Sequence, residues 1–215
     1  MAATDHYGGL GARFYSAYIE RPLLGRVVIR LLWGGDARPM YRSIEALRDL
    51  SVGLTVVDAA CGAGLALRWL EPSRVGRYLG VDNSPAMLGR ARERARRRGF
   101  GEVELELADI AAIPLEDATA DICLLYNALH VVPDPQRAVA EAVRLLKPGG
   151  RVEGSMLLRG EVRRVDRFFQ REQSKPTGLL GPGGTRSDLR RWLEGLTGVE
   201  VEVGGSLAVF RGLRP

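Results

Sequence analysis

A chain of 215 residues with 46% apolar and 27% charged residues has the proportions of a single globular domain with a sizeable core. Two cysteines are too few for a disulfide framework, and no run of about 18 uninterrupted apolar residues is present to span a membrane. The net charge of +5 comes from 31 basic residues, of which only Lys147 and Lys175 are lysine, so it reflects arginine usage rather than a dedicated polyanion surface. The first residues show no basic segment followed by an apolar run, so the expected location is the cytoplasm.

In chain order, the first clear periodicity is "PLLGRVVIRLLW" (22–33), which sets Leu24, Val27, Val28 and Leu31 on one helical face and Arg26 and Arg30 elsewhere. Strand-like runs follow at Leu54–Asp58, Tyr78–Asp82, Val103–Leu107, Asp121–Tyr126 and Arg151–Leu157. Helices are expected between them, at about 64–71, 85–98 and 135–146. The last of these begins at Asp134-Pro135, a cap followed by a first-turn proline, and stops at "KPGG" (147–150). The arginine run "RARERARRRG" (90–99) places Ala91 and Ala95 four apart, as a helix with a solvated outer face does, and no aromatic residues interleave to stack bases. No nucleic-acid partner is expected. Near the end, "VEVEVGGSLAVF" (199–210) alternates on both sides of Gly204-Gly205 and reads as a β-hairpin. The fold class is therefore α/β: a doubly wound, Rossmann-like sheet, mostly parallel, closed by a C-terminal antiparallel hairpin.

Such sheets bind ligands beyond the carboxyl ends of their strands. There the sequence places Asp58 with "ACGAG" (60–64), then Asp82 with Asn83-Ser84-Pro85, then Asp109, and then "NALHVVPD" (127–134). Three acids at successive strand ends suit a nucleoside. A dinucleotide wants G-x-G-x-x-G, but Leu67 stands where the third glycine belongs. Asp58 beside that loop would repel a pyrophosphate and suits the cationic sulfonium of S-adenosylmethionine (SAM). Both departures favour SAM as the cofactor, with no metal.

"VVDAACGAG" (56–64) resembles motif I of class I SAM-dependent methyltransferases, and "YLGVDNSPAML" (78–88) is similar to their second motif. "ELADIAAIPLEDATADICLLYNALHVVPD" (106–134) and "LLKPGGR" (145–151) resemble the small-molecule branch that includes ubiquinone and menaquinone methyltransferases. Ala60 departs from the pattern, which has glycine there; a slightly tighter pocket with retained binding is expected. The resemblance implies that Asp58, Ala60, Cys61, Gly62 and Gly64 line the methionine portion of the cofactor. It implies that Asp82 holds the ribose hydroxyls while Asn83 and Met87 border the adenine. Asp109 would accept from the adenine amino group, Ile110 would pack on the ring, and Asn127 would sit near the transferred methyl. Tyr18, in "ARFYSAYIERP", matches a tyrosine that approaches the cofactor. Asp82, Asp109 and Asn127 could instead only cap turns, and Cys61 reads as a packing residue rather than a nucleophile.

An oxygen acceptor calls for a base, and His130 is the histidine near a strand end; a structural role for it stays open. The chain then divides into an N-terminal helical cap (1–48), a SAM-binding core (50–157), a variable acceptor-side segment (158–186) and a final helix with hairpin (187–215). The helix in 22–33 reads as core packing, as a lid over an apolar acceptor, or as a membrane-surface helix, though no stable membrane insertion is expected. The expected function is methyl transfer from SAM to a small, hydrophobic acceptor. A protein or nucleic-acid substrate, or a SAM-binding protein with altered chemistry, is the alternative. "YNAL" (126–129), where amino-group methyltransferases of nucleic acid and protein have an "NPPY"-type motif, favours the small acceptor.

Overall fold

The computed structural model describes Ile19, residues 21–173 and residues 180–215. Helix α1 (Pro22–Val28) runs on into a π-helical turn, Ile29–Trp33, and α2 (Arg38–Glu45) follows. The core then alternates β1 (Leu54–Ala59), β2 (Val75–Asp82), α3 (Pro85–Arg98), β3 (Glu104–Leu107), β4 (Ala120–Tyr126), α4 (Pro135–Leu145) and β5 (Leu146–Leu157). Helices α5 (Arg163–Gln173) and α6 (Arg186–Trp192) precede the hairpin β6 (Thr197–Gly204) and β7 (Leu207–Leu213).

The seven strands lie in the order β3-β2-β1-β4-β5-β7-β6. β1 to β5 pair in parallel, whereas β7 inserts antiparallel between β5 and β6. The strand order reverses between β1 and β4, which opens a crevice at their carboxyl ends. Alternation along each strand feeds two cores. Val56, Ile122 and Leu124 join one beneath α2, whereas Val57, Cys123 and Leu125 join the other beneath α4. Val56, Val57, Leu124 and Leu125 are fully buried, each contributing roughly 1.5–3 kcal/mol through lost water contact.

Caps fix where the helices start. Ser84 Oγ accepts from the Met87 N–H and Asp134 Oδ1 from the Arg137 N–H, with Pro85 and Pro135 in the first turns. The arginine run lies on α3, where Arg98 donates to the carbonyls of Leu67 and Leu70 and Arg96 pairs with Glu93.

Two expectations are corrected. The helix expected at 64–71 is only a 3₁₀ turn, Ala66–Arg68, because Gly64 enters it at a φ of 78° and Pro72 follows closely. Of the apolar face Leu24/Val27/Val28/Leu31 only Val28 packs on the core, beside buried Gly25 and Ile29, while Leu24, Val27 and Leu31 are exposed. The expected hairpin forms, with its turn at Gly205-Ser206 rather than Gly204-Gly205, because Gly204 still pairs with Leu207.

Candidate cofactor site

β1 delivers Asp58 to the carboxyl edge, and the chain then turns sharply. Ala60, Gly62 and Gly64 have φ of 62°, 54° and 78°, so three residues of this loop are left-handed. Two of the three are glycines. A Cβ on Gly62 would meet nothing within 4 Å, leaving open space above the loop, whereas one on Gly64 would collide with Leu67 at 2.8 Å. Gly62 thus leaves room for a ligand and Gly64 admits close packing of the following turn.

The loop is tied to β2. The Cys61 N–H donates to the Val81 carbonyl at 2.9 Å, and the Gly62 N–H donates to Oδ2 of Asp82 at 2.8 Å. The Ser84 N–H donates to Oδ1 of the same carboxylate at 3.0 Å. Each carboxylate oxygen has a second lone-pair direction, so a vicinal diol can be held by both at once. Asp82 is buried, while Asn83 beside it is exposed and Met87 buried.

Asp58 is buried and accepts from the Tyr78 hydroxyl at 2.7 Å. Burial, partly countered by that hydrogen bond, and the charge of Asp82 push its carboxyl up to about 7. Cys61 is buried as well, and desolvation together with the charges of Asp58 and Asp82 holds its thiol well above the ordinary range. A neutral, buried thiol is a packing group here.

Asp109 is exposed and its Oδ1 accepts from the Ala111 N–H at 2.9 Å, while Ile110 beside it is buried. Asn127 has a φ of 56° at the end of β4. Its N–H donates to the Ser155 carbonyl at 2.8 Å, its Oδ1 accepts from the Ser155 hydroxyl at 3.2 Å, and its amide nitrogen lies 3.6 Å from the Met40 sulfur. His130 is buried, and its Nδ1 accepts from the Leu157 N–H at 3.3 Å. Burial lowers its pKa to about 4, so the ring is neutral with its proton on Nε2. Tyr18 lies outside the described residues.

The structure therefore gathers Asp58, the 60–64 loop and Asp82 into one crevice, with Asn127 across the switch point. Sequence reasoning missed Tyr78, Met40 and Ser155. Tyr78 reaches Asp58 through the β1–β2 register, which pairs Asp58 with Gly80 and is set by the fold rather than by a local pattern. Beyond β5, Arg159, Gly160, Glu161, Thr185, Arg186, Ser187 and Arg190 line an open cleft of about 420 Å³ within the variable segment and the start of α6. Among the described residues, no helix is long and apolar enough to cross a membrane.

A sheet of this order, with acids at the carboxyl ends of its strands around the switch point, defines an α/β class that binds its ligands there. The family described as "Methyltransferase domain" matches residues 57–153. A ubiquinone/menaquinone biosynthesis C-methyltransferase from Methylobacterium nodulans is 31% identical over 176 residues, covering 79% of this chain and 70% of that protein. An arsenite methyltransferase from Halobacterium salinarum is 29% identical over 163 residues, covering 73% of this chain but only 41% of that protein. The chain spans about half or less of several such curated relatives, 34% and 47% in two further cases. Among solved structures, a putative methyltransferase from Bacillus halodurans superposes with a TM-score of 0.67 at 19% identity, covering 81% of this chain and 98% of that one. The chain belongs to the class I SAM-dependent methyltransferase family.

Proposed function

We propose that this protein transfers a methyl group from SAM to a small, apolar acceptor. The observation that carries the reading is the Asp82 carboxylate, held by the Gly62 and Ser84 amides beside the open space over Gly62. The donor set fits SAM: a fixed carboxylate for the ribose diol, a second buried acid for a cation, and no cluster of three metal-ligating side chains among the described residues. When bound, SAM supplies an activated methyl group for direct displacement. Asp82 then holds the ribose, with Met87 and Ile110 as apolar walls for the adenine, Asn83 at its border and Asp109 as acceptor for its amino group. Asp58 opposes the cation near the 60–64 loop, and Asn127, fixed by Ser155, borders the methionine end.

His130 is a positioning residue in this reading, because its one available lone pair already accepts from the Leu157 amide. It ties the loop after β4 to the end of β5, and its own carbonyl accepts from the Gly181 N–H at 3.0 Å. Alignment rather than a general base then carries the catalysis. A small acceptor is supported by the relatives named for quinone biosynthesis and for arsenite. The cleft at Arg159, Arg186 and Arg190 favours a second reading, in which the acceptor carries an anionic group.

Calorimetry with SAM and with a nicotinamide dinucleotide tests the site, and a mass-spectrometric screen of cell extract with methyl-labelled SAM tests the reaction. The proposal expects SAM to bind one per chain and label to appear in a small organic molecule. Binding of the dinucleotide alone would refute it. SAM binding with no transferred label would leave a binding protein in its place.

A further inference from the structure

We propose that α1 and its π-helical turn dock this protein on an anionic phospholipid surface. α1 and the turn together put five large apolar side chains into solvent: Leu23 at 78% exposure, Leu24 at 42%, Val27 at 54%, Leu31 at 66% and Leu32 at 52%. On the other side, Gly25 and Ile29 are buried, and Trp33 packs edge-on against Phe168 of α5 with ring centroids 5.0 Å apart. The helix is thus anchored to the fold by one side and presents leucines and valine on the other.

Charge selects the occupant. Residues 21–33 contain Arg21, Arg26 and Arg30 and no acid. Helix α5 adds Arg163, Arg164, Arg167 and Arg171, all exposed, and the Arg164 guanidinium bonds the Arg30 carbonyl at 3.0 Å, joining the two elements. Of the two acids on α5, Asp166 accepts from the Gly160 N–H and Glu172 is buried. An apolar stripe edged by arginines is the pattern that lies in the headgroup region of an anionic bilayer, apolar face inward and guanidinium groups on phosphates. A second copy of this chain would bring the same arginines together, which opposes self-association through this face.

The surface also sits at the right edge of the sheet. The Ser206 hydroxyl donates to the Trp33 carbonyl and the Asp36 N–H to that of Gly204, so the helix abuts the β6–β7 turn. Leu207 after that turn pairs with Leu157 at the carboxyl end of β5. A membrane beneath α1 would therefore lie beside the crevice, where an apolar molecule dissolved in lipid could enter. Docking itself does not depend on the acceptor or on methyl transfer, and its test uses neither.

Co-sedimentation of the full chain with phosphatidylcholine vesicles, with and without phosphatidylglycerol at about a third of the lipid to give a negative surface potential, is the experiment. Binding is expected to the anionic vesicles alone, falling at least about tenfold in Leu24→Ser/Leu31→Ser through lost apolar burial and in Arg26→Gln/Arg30→Gln through lost attraction to phosphate. SAM calorimetry on each variant reports that the fold is kept. As a second readout, Leu24→Cys carrying an environment-sensitive dye should blue-shift with anionic vesicles; Cys61 and Cys123 are buried, which directs the label to position 24. Failure to bind anionic vesicles overturns the proposal. Binding that survives the leucine changes overturns it too, as does a dimer that those changes dissolve in the absence of vesicle binding.

Discussion

The Gly62 N–H and Oδ2 of Asp82 meet at 2.8 Å, linking the loop after β1 to the end of β2 across two neighbouring strands. One carboxylate thus accepts from two backbone amides and shapes the loop, and in the proposed reading it also holds the ribose. Asp82→Ala should weaken SAM binding by about 2 kcal/mol or more, because charge-assisted hydrogen bonds are lost from a buried site. Asp82→Asn should lose less, since Oδ1 can still accept. Calorimetry on folded variants decides it, and unchanged affinity in the alanine variant refutes the ribose assignment.

The Asp58–Tyr78 pair predicts an inverted pH effect. With its carboxyl pushed up to about 7 in the folded protein, Asp58 binds a proton there that an unfolded Asp releases near 4. The folded state therefore holds more protons between about pH 4 and 7, and stability falls as pH rises through that window. Asp58→Asn mimics the protonated acid and keeps an acceptor for the Tyr78 hydroxyl. Without ligand it should be more stable than the parent at pH 8, by up to roughly 4 kcal/mol, and equally stable below pH 4. Its SAM affinity should drop by about tenfold or more, because the charge facing a cation is gone. Denaturant titrations at the two pH values read the first part; a variant less stable than the parent at pH 8 would sink it.

His130 acts in the opposite direction over nearly the same range. Its folded pKa of about 4 lies below the ordinary 6.5, so the stability it contributes is full above about 6.5 and is lost as pH falls toward 4. The difference is roughly 3 kcal/mol, partly masked in the parent by Asp58. His130→Asn removes the titration while offering an oxygen to the Leu157 amide. Parent and variant should therefore converge in stability as pH falls from 7 to 4, and methyl transfer should stay within a few-fold. A loss of about 100-fold in turnover with unchanged SAM affinity would restore the general base.

These pairs explain what the sequence could disclose. Asp58 and Asp82 stood out because each ends a β-branched or apolar run beside small residues, a local pattern fixed by strand and loop geometry. Their relation to each other, and to Tyr78, depends on the β1–β2 register, which no local pattern carries. The position of His130 near a strand end was visible, but the choice between a base and a structural tie turns on the Leu157 amide, 27 residues away. The helix expected at 64–71 had the right apolar spacing, but left-handed Gly64 and nearby Pro72 leave room for a single turn. In α1 the helix was legible, but periodicity does not say which side the fold covers: Gly25, Val28 and Ile29 face the core and Leu24, Val27 and Leu31 face solvent.

Ala60 offers the sharpest test of the loop. It holds a φ of 62° without being glycine, a conformation that costs an alanine about 1–2 kcal/mol. Two terms oppose that strain. Glycine would give up roughly 0.5–1 kcal/mol of backbone entropy, and the Ala60 methyl, partly buried against the core beneath α4, contributes less than about 0.8 kcal/mol. The sums nearly cancel, so the loop accommodates alanine at this left-handed position. Ala60→Gly should therefore change stability by less than about 1 kcal/mol and leave SAM affinity within a few-fold. Ala60→Val should destabilise by about 2 kcal/mol or more, since a branched Cβ tolerates the left-handed region far less well. Urea unfolding of the two variants at pH 8 measures both. A glycine variant weakened by 2 kcal/mol or more would make the methyl a required packing group; a valine variant as stable as the parent would mean that residue 60 is not left-handed in solution.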